Sequence, residues 1–438
     1  MQVARSRLNR WAAPDKGEVL IATISVAATE PRVYRQKGFL PFLLGRLSST
    51  FAMQIQAVVV AWQVYDITRE PMSLAYVGLA QFIPMLLLLL PAGDIVDRFD
   101  RRRILFCSWT LQGICSALLL WLSLRATDDV TAFYWVLALF GCARSFTWPT
   151  LQSLLPQIVP REQLAKAVAF NSAILKIAII GGPVLGGVLY TFGAPLTYGI
   201  CLALFWVAPL LLARVPVPYA EPRQPLQGNA FSRFTAGLAY MWSRPIILGA
   251  ISLDLFAVLL GGVVALLPIY AQEVLHVGPE GLGALRSAIA IGALLMGLYL
   301  GVRSIGRRVG LVMFVAVAIF GVANLVFALS TTFWLSFAAL MVAGAADMIS
   351  VNIRQTLIQL ATPDAMRGRV NAVNMLFIGS SNELGEFRAG TMAEWFGVVP
   401  AAVLGGAGTL AVVGIWMWRF TPLRTVDRFE DAHPGERH

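Results

Sequence analysis

From residue 39 onward the chain alternates between long apolar runs and short polar breaks. Twelve of the runs are near the ~20 residues that a helix needs to cross a bilayer. Their approximate limits are 39–65, 73–94, 104–124, 132–155, 164–192, 195–213, 246–271, 282–302, 310–329, 333–359, 370–394 and 399–419. Short loops separate all but the sixth and seventh runs. Residues 214–244 form the longest interior break, and their PVPYAEPRQP stretch is proline-rich and polar, as a linker is. The pattern predicts an all-α polytopic membrane protein with twelve transmembrane helices in two six-helix bundles. Its expected parts are an N-terminal tail (1–37), a first bundle (38–213), a linker (214–244), a second bundle (245–420) and a C-terminal tail (421–438).

Composition agrees with this pattern. Only 13% of the residues are charged and 58% are hydrophobic, against about a quarter charged in a soluble chain. The net charge of +10 raises the question of a nucleic-acid partner, and the positions of the bases decide against one. Most of the 34 lysines and arginines fall in the N-terminal tail, in residues 98–103, 161–166, 214–244, 303–308 and 367–369, and in the C-terminal tail. These are alternate breaks on one side of the predicted membrane; the other side has only Arg69 and Arg125. By the positive-inside rule both termini are cytoplasmic. An apolar stretch at 19–28 is about half the length of a span. It faintly resembles a signal peptide, but cleavage there would leave bases at the outer face, so a cytoplasmic, largely disordered tail is the expectation. The four cysteines sit within apolar runs without metal-ligand spacing and read as small core residues.

The two halves also repeat. A shift of 203 residues lays Gly141 on Gly344, Asn171 on Asn374, Gly182 on Gly385 and Gly187 on Gly390, and a shift of 205 lays Tyr65 on Tyr270. Parallel repeats related by an axis along the membrane normal are a plan of secondary transporters.

Charges inside a bilayer are costly and mark candidate functional sites. The acids are Asp254, Asp347, Glu383 and Glu386; the bases are Arg46, Arg144, Lys176, Arg286, Arg354 and Arg388. Of these, Asp254, Asp347, Glu383, Glu386, Arg46, Arg144 and Lys176 are the candidates for a proton or substrate pathway. His276, His433 and His438 all lie in loops or the tail, so proton movement would run on carboxylates. The alternative is that the acids neutralise nearby bases and lock the packing. The two readings are balanced for Asp254 and Asp347. The packing reading gains weight for Glu386, since Arg388 lies two residues on, in the same turn region though on a different face. Arg46 sits near a span end and has room to snorkel, which weakens a substrate role.

Two motifs narrow the class. Gly93, Asp97, Arg98, Arg101 and Arg102, in the break after the second span, resemble the signature of the major facilitator superfamily; Asp100 stands where that pattern has glycine. The resemblance implies that Asp97 faces the start of the eleventh helix, near Arg369, in one conformation and so acts as a latch. Gly182-Pro183-Val184-Leu185-Gly186-Gly187 resembles the fifth-helix motif of the exporting, antiporter branch. There the glycines would admit a neighbouring helix and the proline would kink the span. The runs AWQVYDIT, LPAGDIVDRFDRRR, NELGEF and TPDAMRGRVNAVN are similar to a bacterial siderophore-exporter branch.

The resemblance implies a monomeric secondary transporter of the bacterial inner membrane. It would export a small amphipathic molecule, a siderophore among the possibilities, in exchange for protons. A multidrug exporter of lipophilic compounds is the first alternative, and a non-transporting membrane scaffold or sensor the second. No nucleophile–base pair, phosphate loop or metal-ligand cluster points to an enzyme or a cofactor. The expected partners are the small-molecule substrate, protons and lipid, with no nucleic acid.

Overall fold

A computed structural model of the chain describes residues 36–127, 129–218 and 230–432; residues 1–35 of the expected disordered tail lie outside them. Six helices form the first half: α1 (Phe39–Thr68), α2 (Pro71–Arg98), α3 (Arg101–Leu124), α4 (Thr131–Ile158), α5 (Leu164–Tyr190) and α6 (Ala194–Ala213). A linker helix, α7 (Ala230–Trp242), follows. The second half holds α8 (Pro245–Gly261), α9 (Pro279–Val302), α10 (Val309–Leu329), α11 (Phe333–Ala361), α12 (Asp364–Phe396) and α13 (Val398–Arg419), then a short α14 (Thr421–Arg424). Ten helical segments among the described residues are long and apolar enough to cross a membrane. Of the twelve predicted spans, α4 and α12 fall short on apolarity, not on length, because they carry Arg144, Glu383, Glu386 and Arg388 through the bundle. Exposed aromatics collect toward both ends of the bundle, Trp135, Phe192, Trp334 and Trp395 at one and Phe99, Phe106 and Trp418 at the other. Such belts mark the two membrane interfaces.

Two features differ from the hydropathy reading. Residues 214–244 are not all irregular linker. In α7, Phe234, Leu238 and Met241 recur at helical spacing and pack into the core of the second half, while Phe231 and Trp242 stay exposed. The seventh span is not one helix. It stops at Gly261, and the chain continues through a 3-10 turn at Val264–Leu266 and a π turn at Tyr270–Val274.

The repeat is visible in the packing. The halves meet along α5 with α9 and along α2 with α12, which are equivalent pairs. Gly187 on α5 presses on the Pro279 carbonyl at the start of α9, and Gly390 on α12 presses on Pro71 and Ala75 at the start of α2. Within each half, Gly141 lies on the Gln81 carbonyl and Gly344 on the Ile289 carbonyl. At all four positions a Cβ would clash, and small residues are what let membrane helices approach so closely. Pro71 with Pro279 and Gln81 with Ile289 are each 208 residues apart, which sets the register between α2 and α9.

Candidate functional site

The signature segment is a junction built by local chemistry. Asp100 is the N-cap of α3, its carboxylate accepting from the Arg102 and Arg103 amides at 2.8 and 3.3 Å. That explains its presence where the superfamily pattern has glycine, since aspartate is a favoured N-cap. The Arg102 guanidinium donates to the Val215 and Ala213 carbonyls at the end of α6, at 3.0 and 3.3 Å. These are carbonyls that a helix terminus leaves without an intrahelical partner. Asp97 is half-buried and Arg98 exposed, and neither is without a partner. The space around Gly93 is open, so packing does not demand glycine there in this conformation.

The α5 motif sits at a helix crossing. Gly182 and Gly186 face α1 at Gln54 and Ile55, and Gly187 faces α9. From the other side Gly283 presses on the Pro183 carbonyl, and the Ser287 hydroxyl donates to the Ile180 carbonyl at 2.6 Å. The motif therefore seals one of the two seams between the halves.

The end of the bundle opposite the signature segment is shut by polar contacts. The Tyr65 hydroxyl on α1 donates to Glu273, and Arg69 donates to Gln272, both acceptors lying on the π turn. Residues 65–69 and 270–274 are repeat equivalents under the 205-residue shift, so corresponding segments of the two halves face each other. Tyr270 does not copy Tyr65; its hydroxyl donates to the Ala328 carbonyl in its own half, at 3.0 Å.

Between the halves lies a chamber of two adjoining compartments. The first, of about 220 Å³, is lined by apolar Leu137, Phe140, Val60 and Leu74 and by polar Arg144, Arg286, Glu383, Glu386 and Gln81. Arg144 donates to the Gln81 side chain at 3.2 Å. Both glutamates converge over Gly78, each with an Oε2 atom 3.6 Å from where a Cβ there would stand. They interact electrostatically with Arg144 and Arg286, yet among the described residues no direct ion pair joins them. Opposite charges left unbridged in a cavity are available to a ligand.

The sequence candidates thus separate. Glu383, Glu386 and Arg144 come together. Arg286, named among the intramembrane bases but not among the pathway candidates, joins them; its one signal was a charge in an apolar run. Lys176 lines the second compartment. Asp254 lines neither compartment; it is 5% exposed and forms a buried ion pair with Arg354 on α11. Asp347 also lies outside both linings and interacts electrostatically with Asp254, Arg354 and Lys176. Arg46 donates to Asn171 on α5 at 2.7 Å, a bond within the first half. Arg388 does not offset Glu386. It turns to the Gly262 carbonyl, at 3.4 Å, and the Met392 sulfur, so it caps the break after α8.

The comparisons with known proteins agree with this architecture. The chain is 26% identical over 405 residues to the enterobactin exporter of Citrobacter koseri, covering 90% of this chain and 93% of that protein. It is 25% identical over 425 residues to the enterobactin exporter of Salmonella typhimurium, covering 94% and 97%. In structure it is similar to a bacterial homologue of the human lysosomal transporter Spinster in an inward-facing, occupied conformation, with TM-score 0.66, 16% identity and 90% and 97% coverage. It is also similar to the nucleoside transporter NupG (D323A mutant), with TM-score 0.69, 12% identity and 87% and 99% coverage. The family described as transmembrane secretion effector matches residues 31–436. The chain belongs to that family, and is a multi-pass membrane transporter of the major facilitator superfamily, not an enzyme.

Proposed function

We propose that the chain exports a small amphipathic molecule, such as a siderophore, across the bacterial inner membrane in exchange for protons. The observation that carries this reading is the first compartment, where Glu383 and Glu386 face Arg144 and Arg286 without bridging to them, beside an apolar wall. An amphipathic solute fits both surfaces. An ionised carboxylate only accepts hydrogen bonds, whereas a protonated one also donates. Substrate hydroxyls and protons therefore compete for the same oxygens of Glu383 and Glu386, and exchange requires such competition. The similarity to enterobactin exporters supports the direction of transport and the siderophore class.

In this reading both termini and the signature segment are cytoplasmic, and the Tyr65–Glu273 end is the outer gate, closed here. The halves, 38–213 and 245–420, rock about the α5–α9 and α2–α12 seams in a monomer, with Asp97 biasing the equilibrium between the two access states. Asp254 serves packing through Arg354.

The test is proton release from energised inverted membrane vesicles, followed with a pH-sensitive dye as siderophores, organic anions and lipophilic cations are added in turn. A siderophore-specific signal, lost in Glu383→Gln or Glu386→Gln, is the expected result. The apolar wall and paired acids also favour a second reading, a multidrug exporter. Signals from many lipophilic cations and none from siderophores would select it. Silence across the panel, with the protein present in the membrane, would reject proton exchange for these classes.

A further inference from the structure

The second compartment, of about 320 Å³, differs from the first in its charge. It lies between α5 and α9, beside α1 and the segment after the α8 break, and meets the first compartment at Gln54 and Arg286. Its polar groups are Lys176, Arg286 and Gln54, with no carboxylate in the lining; Ile179, Ile289 and Ala293 are among its apolar walls. Among the described residues the Lys176 ammonium has no hydrogen bond or ion pair. The Arg286 Nη1 atom is buried and without a hydrogen-bond partner. Their electrostatic counterparts lie outside this compartment, Asp347 on α11 for Lys176 and Glu383 with Glu386 on α12 for Arg286.

A buried donor without an acceptor is costly, and two cations converging on one apolar-walled space select a negatively charged group. We propose that this compartment binds the anionic head, carboxylate or phosphate, of an amphiphile whose apolar chain lies along Ile179, Ile289 and Ala293. It extends the transport reading, since the site adjoins the proposed export chamber through Arg286. The same head chemistry is offered by a membrane lipid and by a free amphiphilic solute. Either source would meet the Lys176 ammonium as a point charge and the Arg286 guanidinium as a directed donor.

The experiment is calorimetric titration of the full chain in phosphatidylcholine nanodiscs with decyl phosphate, decanoate and decanol. Decyl phosphate and decanoate should bind and decanol should not. Lys176→Gln should weaken decyl phosphate binding about tenfold or more, which is a loss of roughly 1.4 kcal/mol, and Lys176→Arg should restore it. Ala293→Phe, which keeps both charges and fills the apolar wall, should also weaken it. Repeating the titration in phosphatidylglycerol nanodiscs separates the sources. Lost binding identifies a lipid headgroup as the occupant, and retained binding a free amphiphile; both outcomes uphold the site. Equal affinity in wild type, Lys176→Gln and Ala293→Phe, or equal binding of decanol, overturns it. That failure leaves proton-coupled export standing, because export is read separately from vesicle proton release.

Discussion

Gly78 on α2 and Arg286 on α9 occupy equivalent positions of the two halves, 208 residues apart, and both face the Glu383–Glu386 pair. The pseudo-symmetric frame thus places an arginine at one equivalent position and no side chain at the other, and the two carboxylates of α12 lie against both. An alanine Cβ at Gly78 would sit 3.6 Å from each glutamate Oε2 atom, an ordinary contact, so Gly78→Ala should transport nearly as the wild type does. Gly78→Leu would fill the compartment above the carboxylates. It should lower transport by ~10-fold or more at equal expression, the scale of ~1.4 kcal/mol of lost binding. Equal transport by both variants would remove the first compartment from the substrate path.

Asp254 on α8 and Arg354 on α11 line neither compartment. Both are nearly inaccessible and form an ion pair within the second half. Breaking a buried pair from one side strands the other charge and costs about 3–5 kcal/mol. Asp254→Asn and Arg354→Gln should each lower the thermal unfolding temperature in detergent, and the double variant should recover much of the loss. If Asp254→Asn instead kept full stability and abolished proton coupling, Asp254 would be a carrier and not a packing group.

How much of this was legible in the sequence depended on whether hydropathy or direction carried the information. Apolar runs located the spans, and the repeated glycines Gly187 and Gly390 fall on the seams, because a close crossing demands a small residue wherever it recurs. Direction was not legible. Arg388, two residues from Glu386 and on a different helix face, gave weight to a packing role for Glu386, yet it turns to the Gly262 carbonyl. Arg286 meets the glutamates only because α9 shares the chamber with α12, a tertiary contact that no local pattern in the sequence encodes. The break after Gly261 was invisible because the apolar run continues across it. In α7 the polar, proline-rich stretch ahead masked the spacing of Phe234, Leu238 and Met241.

The signature junction gives a stability prediction with no functional premise. Asp100→Ala removes the N-cap of α3 and should cost about 1 kcal/mol, within the usual range for losing such a cap. Arg102→Ala releases the Ala213 and Val215 carbonyls and should loosen the joint between α3 and α6. Hydrogen exchange should rise at residues 101–104 in the first variant and near 213–217 in the second. Unchanged exchange in both would mean that neither contact stabilises the junction.

The Tyr65 hydroxyl reaches across to Glu273, while that of its repeat partner Tyr270 bonds within its own half. Tyr65→Phe keeps the ring in its buried packing and removes only the bond between the halves. Tyr270→Phe removes a bond within one half, which rocking of the halves would leave in place. A hydrogen bond to a charged group contributes about 1.5–3 kcal/mol, and here it exists only when this end is shut. Tyr65→Phe should therefore shift the population toward the state open at this end, roughly tenfold or more by the same scale, and Tyr270→Phe should not. Spin labels on Asp66 and Glu280, with distances read by pulsed electron resonance, would register the opening. Equal distance distributions in wild type and Tyr65→Phe would assign the closure to the Arg69–Gln272 contact and the glycine seams instead.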